Sequence, residues 1–264
     1  MVRKISALFV ACVLLFSSCL DTEEKIVINK DNSGDYTLTL DMSKLMTMMD
    51  QMGGIKDSAK VLEKKDSTLY FKPYVDTSTA LTAKEKEMFR DGSLRIKANE
   101  EAKEMKVFIH FPFKNISQLP ELRSSYIAVI DKLGLSKKMN NDNQDDNASA
   151  ENMDVDFSKN KNMLSPTQEA YSFTASPGKI ANTLTNKQLI TDKILKDSTM
   201  QMMQQMSLIM GEMNYKTIII LPKAVKKYTA NQTILSADKK TLTFLNTFND
   251  MISKPESAAY SVEY

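Results

Sequence analysis

Leu94, Ile96 and Ala98 alternate with Arg95 and Lys97, and after a polar turn at 99–103 Met105, Val107, Ile109, Phe111 and Phe113 recur at every second residue. No other feature limits the fold as tightly. A period of two belongs to β-strands, so two such runs across a short turn predict an antiparallel hairpin with one buried face. Residues 25–30 and 35–41 repeat the pattern around Asp31-Asn32-Ser33-Gly34, and residues 233–235 and 241–245 around the turn at 236–239. Asp, Asn, Ser and Gly are the residues such turns select.

Helices separate the hairpins. Asp41 or Ser43 caps one that runs to about Met52 and carries Met42, Leu45, Met46, Met49 and Met52 on one side, with Gly53-Gly54 ending it. Thr82-Ala83-Lys84-Glu85 forms a capping box. Ser117 and Pro120 open a helix with Leu119, Leu122, Tyr126, Val129 and Leu133 inward, closed by Gly134. A long helix over 192–211 turns Met202, Met203, Met206, Ile209, Met210 and Met213 inward. The β-branched run 217–221 predicts a central strand covered on both faces. Pro73 makes 69–75 an edge strand. Residues 169–174 and 178–184 read as strands, and Tyr260, Val262 and Tyr264 as a last one. The expected class is α+β: antiparallel sheet hairpins packed against several helices. The expected regions are 25–134 and 167–264, either as two units or as one domain. Between them, 135–166 holds the Asn/Asp-rich run NNDNQDDNASAEN, too poor in apolar side chains to offset ordering entropy, and is expected to be a mobile linker.

The first 18 residues read as an address. Arg3 and Lys4 precede an apolar run, ISALFVACVLLF, and Ser17-Ser18-Cys19 leads into the polar LDTEE. The run is shorter than the roughly 20 residues a membrane-spanning helix needs. The layout resembles a bacterial lipoprotein signal. That resemblance implies cleavage before Cys19, acylation of Cys19, and a short tether at 19–24. Cys12 is a weaker rival site, since acylation there would leave an apolar stretch on the mature end. Leu20 follows Cys19 where an Asp would direct an enteric lipoprotein to the inner membrane, so the outer membrane is the expected address. Asp21, Glu23 and Glu24 resemble an acidic surface-export tether.

Composition excludes several classes. Once Arg3 and Lys4 leave with the signal, the 35 basic residues fall to 33, matching 33 acidic ones, so no basic excess points to nucleic acid. The chain has two cysteines. With Cys12 removed and Cys19 acylated, none remains for a disulfide, a zinc cluster or a nucleophile. No GxGxxG or Walker pattern cradles a nucleotide phosphate. No cofactor is expected.

His110 is the single histidine and sits mid-strand, opposite the main apolar stripe, where an ordinary strand role outweighs catalysis. Asp31, Ser33 and Asp35 alternate as cation ligands would, but hairpin turns select the same residues. Asp142, Asp145 and Asp146 fit no calcium loop. Methionine is the odd signal, at 18 residues. The helical spacing of Met42, Met46, Met49, Met202, Met206 and Met210 favours core filling. A pliable groove for a lipid or a partner helix comes second, and copper ligation third.

Two stretches resemble the LppM-like family of bacterial lipoproteins. One pairs Asp31-Asn32-Ser33-Gly34 with Leu38-Thr39-Leu40-Asp41. The other runs from Leu221-Pro222-Lys223-Ala224-Val225 through Asn231 to the segment Ser236–Phe244. The resemblance implies an α+β domain without catalysis and with a hydrophobic cavity suited to lipid. The expected function is therefore that of a lipid-anchored envelope lipoprotein with a non-catalytic binding role, not an enzyme. Its ligand would be apolar, held between the sheet and the Met-rich helices. The alternative is a scaffold or subunit of an envelope complex.

Overall fold

The structure, a computed structural model, describes residues 21–44, 46–47, 65–99, 101–135 and 167–264. The N-terminal half supplies β1 (Asp21–Ile28), β2 (Gly34–Asp41), β3 (Lys65–Tyr70), α1 (Lys72–Thr77), α2 (Ala83–Phe89), β4 (Ser93–Asn99), β5 (Glu104–Phe113) and α3 (Leu119–Lys132). The C-terminal half supplies β6 (Tyr171–Ser176), β7 (Lys179–Leu184), α4 (Lys187–Lys196), α5 (Ser198–Met210) and β8 (Asn214–Ile220). It continues with β9 (Lys227–Ala230), β10 (Thr233–Leu235), β11 (Thr241–Thr247), α6 (Phe248–Ser253) and β12 (Tyr260–Glu263).

Eight strands form one sheet in the order β10-β11-β8-β1-β2-β5-β4-β3, and four form a second, β6-β7-β12-β9. Every neighbouring pair is antiparallel except β1 and β8, which run parallel. That parallel pair joins the halves: a strand from 25–134 and one from 167–264 sit side by side at the centre of the large sheet. One hydrophobic core runs through both, from Ile26 and Phe111 to Ile219 and Val262. The two expected regions therefore share one sheet and one core, of α+β class.

The three expected hairpins form. Alternation is clearest in β5, where Met105, Val107, Ile109, Phe111 and Phe113 are buried and their neighbours are half-exposed. Phe71, Phe89 and Tyr126 surround Phe111 with ring centroids at 5.4, 5.2 and 6.2 Å. Gly92 is required there, because a Cβ on it would lie 2.5 Å from the Phe111 ring. The Thr82 capping box opens α2 with both reciprocal bonds in place. Gly134 ends the turn after α3 at a φ of 62°.

Several expectations are corrected. β1 begins at Asp21, not at 25, and Thr22 and Glu24 are buried. The segment expected as a tether is thus mostly strand, and Asp21, Glu23 and Glu24 belong to the sheet. Pro73 does not sit in a strand: β3 ends at Tyr70 on the sheet edge, and Pro73 occupies the first turn of α1, where its missing N–H is no loss. β8 is central but not covered on both faces, since only Ile219 is fully buried. The expected helix over 192–211 is two helices, because Asp197 Oδ1 accepts from the Met200 backbone N–H at 3.1 Å and caps a fresh start. The restart shifts the buried side of α5 to Met200, Met203 and Ser207, leaving Met202 48% exposed. Leu135 is fully buried, so the packed body extends past 134. The remainder of the expected linker lies outside the described residues.

Candidate functional site

The inner face of the large sheet turns polar beneath β1, β8 and β11. Register sets Thr22 beside Tyr215 and Tyr215 beside Asn246, forming one row across three strands. The next inward row pairs Glu24 with Thr217, and the row after that pairs Ile26 with Ile219. Each polar residue is in phase with the apolar residues of its own strand. The sheet's period of two therefore aims them inward.

α3 supplies the counter-charge. Arg123 shares a helical face with Tyr126, Ile127 and Ile130, which carries it into the interior. Its Nε donates to Glu24 Oε1 at 2.5 Å and its Nη2 to Oε2 at 3.2 Å, a two-pronged contact between side chains only 15% and 10% exposed. Tyr36 Oη donates to Glu24 Oε1 at 3.0 Å and Thr217 Oγ1 to Oε2 at 3.4 Å. The Phe173 ring lies 4.7 Å from the guanidinium. Gln168 Nε2 donates to the Arg123 carbonyl at 2.8 Å, and Asn182 Nδ2 to the Ala258 carbonyl at 2.9 Å. The second sheet and its connections thereby close over the pair.

Glu24, Arg123, Gln168, Asn182 and Thr217 line a partly open cavity of about 80 Å³ that also meets Thr22, Tyr171, Tyr215, Asn246, Met251 and Tyr260. Four buried polar atoms on its wall have no hydrogen-bond partner: Thr22 Oγ1, Tyr215 Oη, Asn246 Oδ1 and Tyr260 Oη. Each unmade bond costs about 1–3 kcal/mol, so the arrangement calls for an occupant. Charges on the wall are already paired, Arg123 with Glu24 and Lys216 with Glu23 at 2.8 Å. What remains is three hydroxyls that both donate and accept and one amide oxygen that accepts. That chemistry matches a small neutral polar group carrying both donor and acceptor atoms. A larger cleft of about 420 Å³ lies next to it and shares Arg123, Gln168 and Tyr171 as a common wall.

Burial pushes the Tyr215 and Tyr260 phenols up and Tyr171 up to about 12. For Arg123, burial opposes the charge, but the Glu24 carboxylate outweighs it and the pKa rises. These shifts lead away from neutrality, so the groups hold their protons rather than exchange them.

Of the methionines expected to bind ligand, the structure describes the side chains of Met42, Met46 and Met202. Met46 is buried at 2% exposure and Met42 is half-buried against the core, while Met202 faces out. None of these three lines the cavity or the cleft. Cys19 and Met49 lie outside the described residues, as do the side chains of Met206 and Met210. His110 Nε2 lies 2.8 Å from Asp35 Oδ1 on the half-exposed outer face of the sheet. Ser93 stands opposite His110 in register, but no hydrogen bond joins them. Asp31 Oδ1 accepts from the Ser33 hydroxyl at 2.7 Å and the Ser33 backbone N–H at 3.0 Å, the contacts of a turn. Sequence reasoning missed Thr22, Glu24, Arg123, Tyr215, Asn246 and Tyr260. The one signal available was phase.

No family model matches the chain, and no curated protein does. Among solved structures it is similar to the folded domain of LppM from Mycobacterium tuberculosis, determined by NMR. The match covers 94% of this chain and 90% of that one, at 6% identity and a TM-score of 0.35. A likeness at that level transfers neither a family nor a role to this chain.

Proposed function

We propose that this chain is a lipid-anchored envelope lipoprotein whose folded body has a non-catalytic binding role. Cleavage before Cys19 leaves every described residue intact, because β1 starts at Asp21. The outer membrane remains the favoured address on the strength of Leu20 after Cys19. No described helix is long and apolar enough to cross a membrane.

The binding role is carried by one observation: four unpartnered buried polar atoms converge on a single cavity beside the Glu24–Arg123 pair. We assign the ligand there, as a small neutral polar molecule. The sequence-based choice was an apolar or lipid ligand against Met42, Met46, Met49, Met202, Met206 and Met210. Its support is the helical spacing of those methionines, of which Met46 fills the core and Met202 faces solvent. A scaffold role is the second reading. It is favoured by apolar side chains that α5 leaves in solvent, Leu208 at 80% and Met202 at 48% exposure.

The anchor is tested by metabolic labelling with a fatty-acid probe, comparing the wild type with Cys19→Ala. Label on the wild type that vanishes in the variant is expected. An unlabelled wild-type chain contradicts the reading. Native mass spectrometry of the unlipidated body then separates the two roles: a retained small molecule supports binding, and a co-purifying protein supports the scaffold.

A further inference from the structure

The large sheet begins almost at the acylation site. Two Cα–Cα steps separate Cys19 from Asp21, and in any conformation they reach at most ~7 Å. Asp21 is already a paired strand residue, in register with Asp41 on one side and Asn214 on the other. We propose that the body of this protein is not on a leash, and that the end of the sheet bearing Asp21, Asp41, Lys106 and Asn214 stands directly on the lipid headgroups. The inference rests on acylation at Cys19.

Sheet geometry supports an upright stance. β1 is an interior strand, with three strands on one side of it and four on the other. At ~4.8 Å per strand the sheet edges lie about 14 and 19 Å away, beyond the reach of the link. The outer face carries charged pairs such as Lys216–Glu23 and Arg95–Asp66 beside the half-exposed Val27, Phe108 and Ile218. Charges at the proposed contact end are also matched: Lys106 lies 3.1 Å from Asp41 and Lys97 lies 2.9 Å from Glu104. The seven steps from Asp21 to Ile28 carry the other end of β1 about 23 Å away. Thr22 and Glu24, and with them the polar cavity, then lie near the membrane side of the body.

Two exposed turns report the orientation. Ala102, between β4 and β5, lies at the Asp21 end, and Lys30, between β1 and β2, lies at the opposite end. Ala102→Cys and Lys30→Cys, each carrying a thiol-linked fluorophore, would be made in the acylated full-length protein. They would be placed in phosphatidylcholine vesicles containing a headgroup-nitroxide lipid. Quenching several-fold stronger at 102 than at 30 is expected. Inserting ten Gly/Ser residues between Leu20 and Asp21 adds a coil of ~17 Å and should erase most of that difference. Equal quenching at both turns on protein of confirmed acyl mass overturns the inference alone, as does a contrast that survives the insertion. Protein without acyl mass overturns the anchor and the inference together.

Discussion

Phe111 and Glu24 point into the same interior from strands separated only by β2, and their surroundings differ in kind. Around Phe111, rings meet edge to face and a glycine is needed to make room. This half is closed, and its stability comes from area removed from water and from close contact. Around Glu24, charge is balanced by two-pronged hydrogen bonding, and four polar atoms still face a gap. A buried ion pair recovers little beyond its own desolvation cost, and unmade bonds lower stability further. The aromatic half is built for stability, whereas the polar half gives some up for chemistry, as binding sites do.

The strongest test of that contrast uses two substitutions of similar cost. Phe111→Ala and Arg123→Ala should each lose about 3–5 kcal/mol in urea melts of the body, the first by opening a cavity and the second by stranding the Glu24 charge. They should differ in rescue. Replacing both members of the pair, Glu24→Leu with Arg123→Met, should return stability to within about 1 kcal/mol of wild type. If the double variant instead shows the sum of the two single losses, the pair is not a coupled unit.

A smaller effect probes the gap itself. Tyr260 is stacked on Phe244 at 4.4 Å, which keeps the ring in place when the hydroxyl is removed. With an occupant bonded to that hydroxyl, Tyr260→Phe should cost about 1 kcal/mol. A gain in stability would mean a dry, unfilled cavity.

The smallest effect lies on the aromatic side and depends on pH. The bond from Lys132, and then the Thr82 backbone N–H, hold the Glu85 carboxyl down at about 2. A folded pKa below the unfolded one gives stability that is present above about pH 4.3 and lost as pH falls toward 2. Glu85→Gln should therefore flatten the acid side of the stability profile between about pH 5 and 2. An unchanged slope would remove Glu85 from the account.

The fold was legible wherever one face of an element is apolar and the other polar. β4 and β5 met that condition, as did the helix from Leu119 through Leu133. Legibility failed where polar residues face inward. The first half of β1, DTEE, shows no apolar alternation, so it looked like a tether although Glu24 is in phase with Ile26 and Ile28. Tyr215 and Thr217 are likewise in phase with Ile219, and Asn246 with Phe244 and Leu242. A polar residue in phase with a buried face has the same signature as one in solvent until the opposing charge is located. Arg123 arrives from α3, about 100 residues away in the chain. In the methionine stripe, Met203 and Met213 are buried as their spacing predicts, whereas the Asp197 cap restarts the helix and leaves Met202 exposed.

An atomic-resolution crystal structure of the purified chain tests the cavity assignment most directly. The account predicts continuous density for one small non-water molecule bonded to Thr22 Oγ1, Tyr215 Oη, Asn246 Oδ1 and Tyr260 Oη. Separate, fully occupied waters on those four atoms, or an empty space, would contradict it.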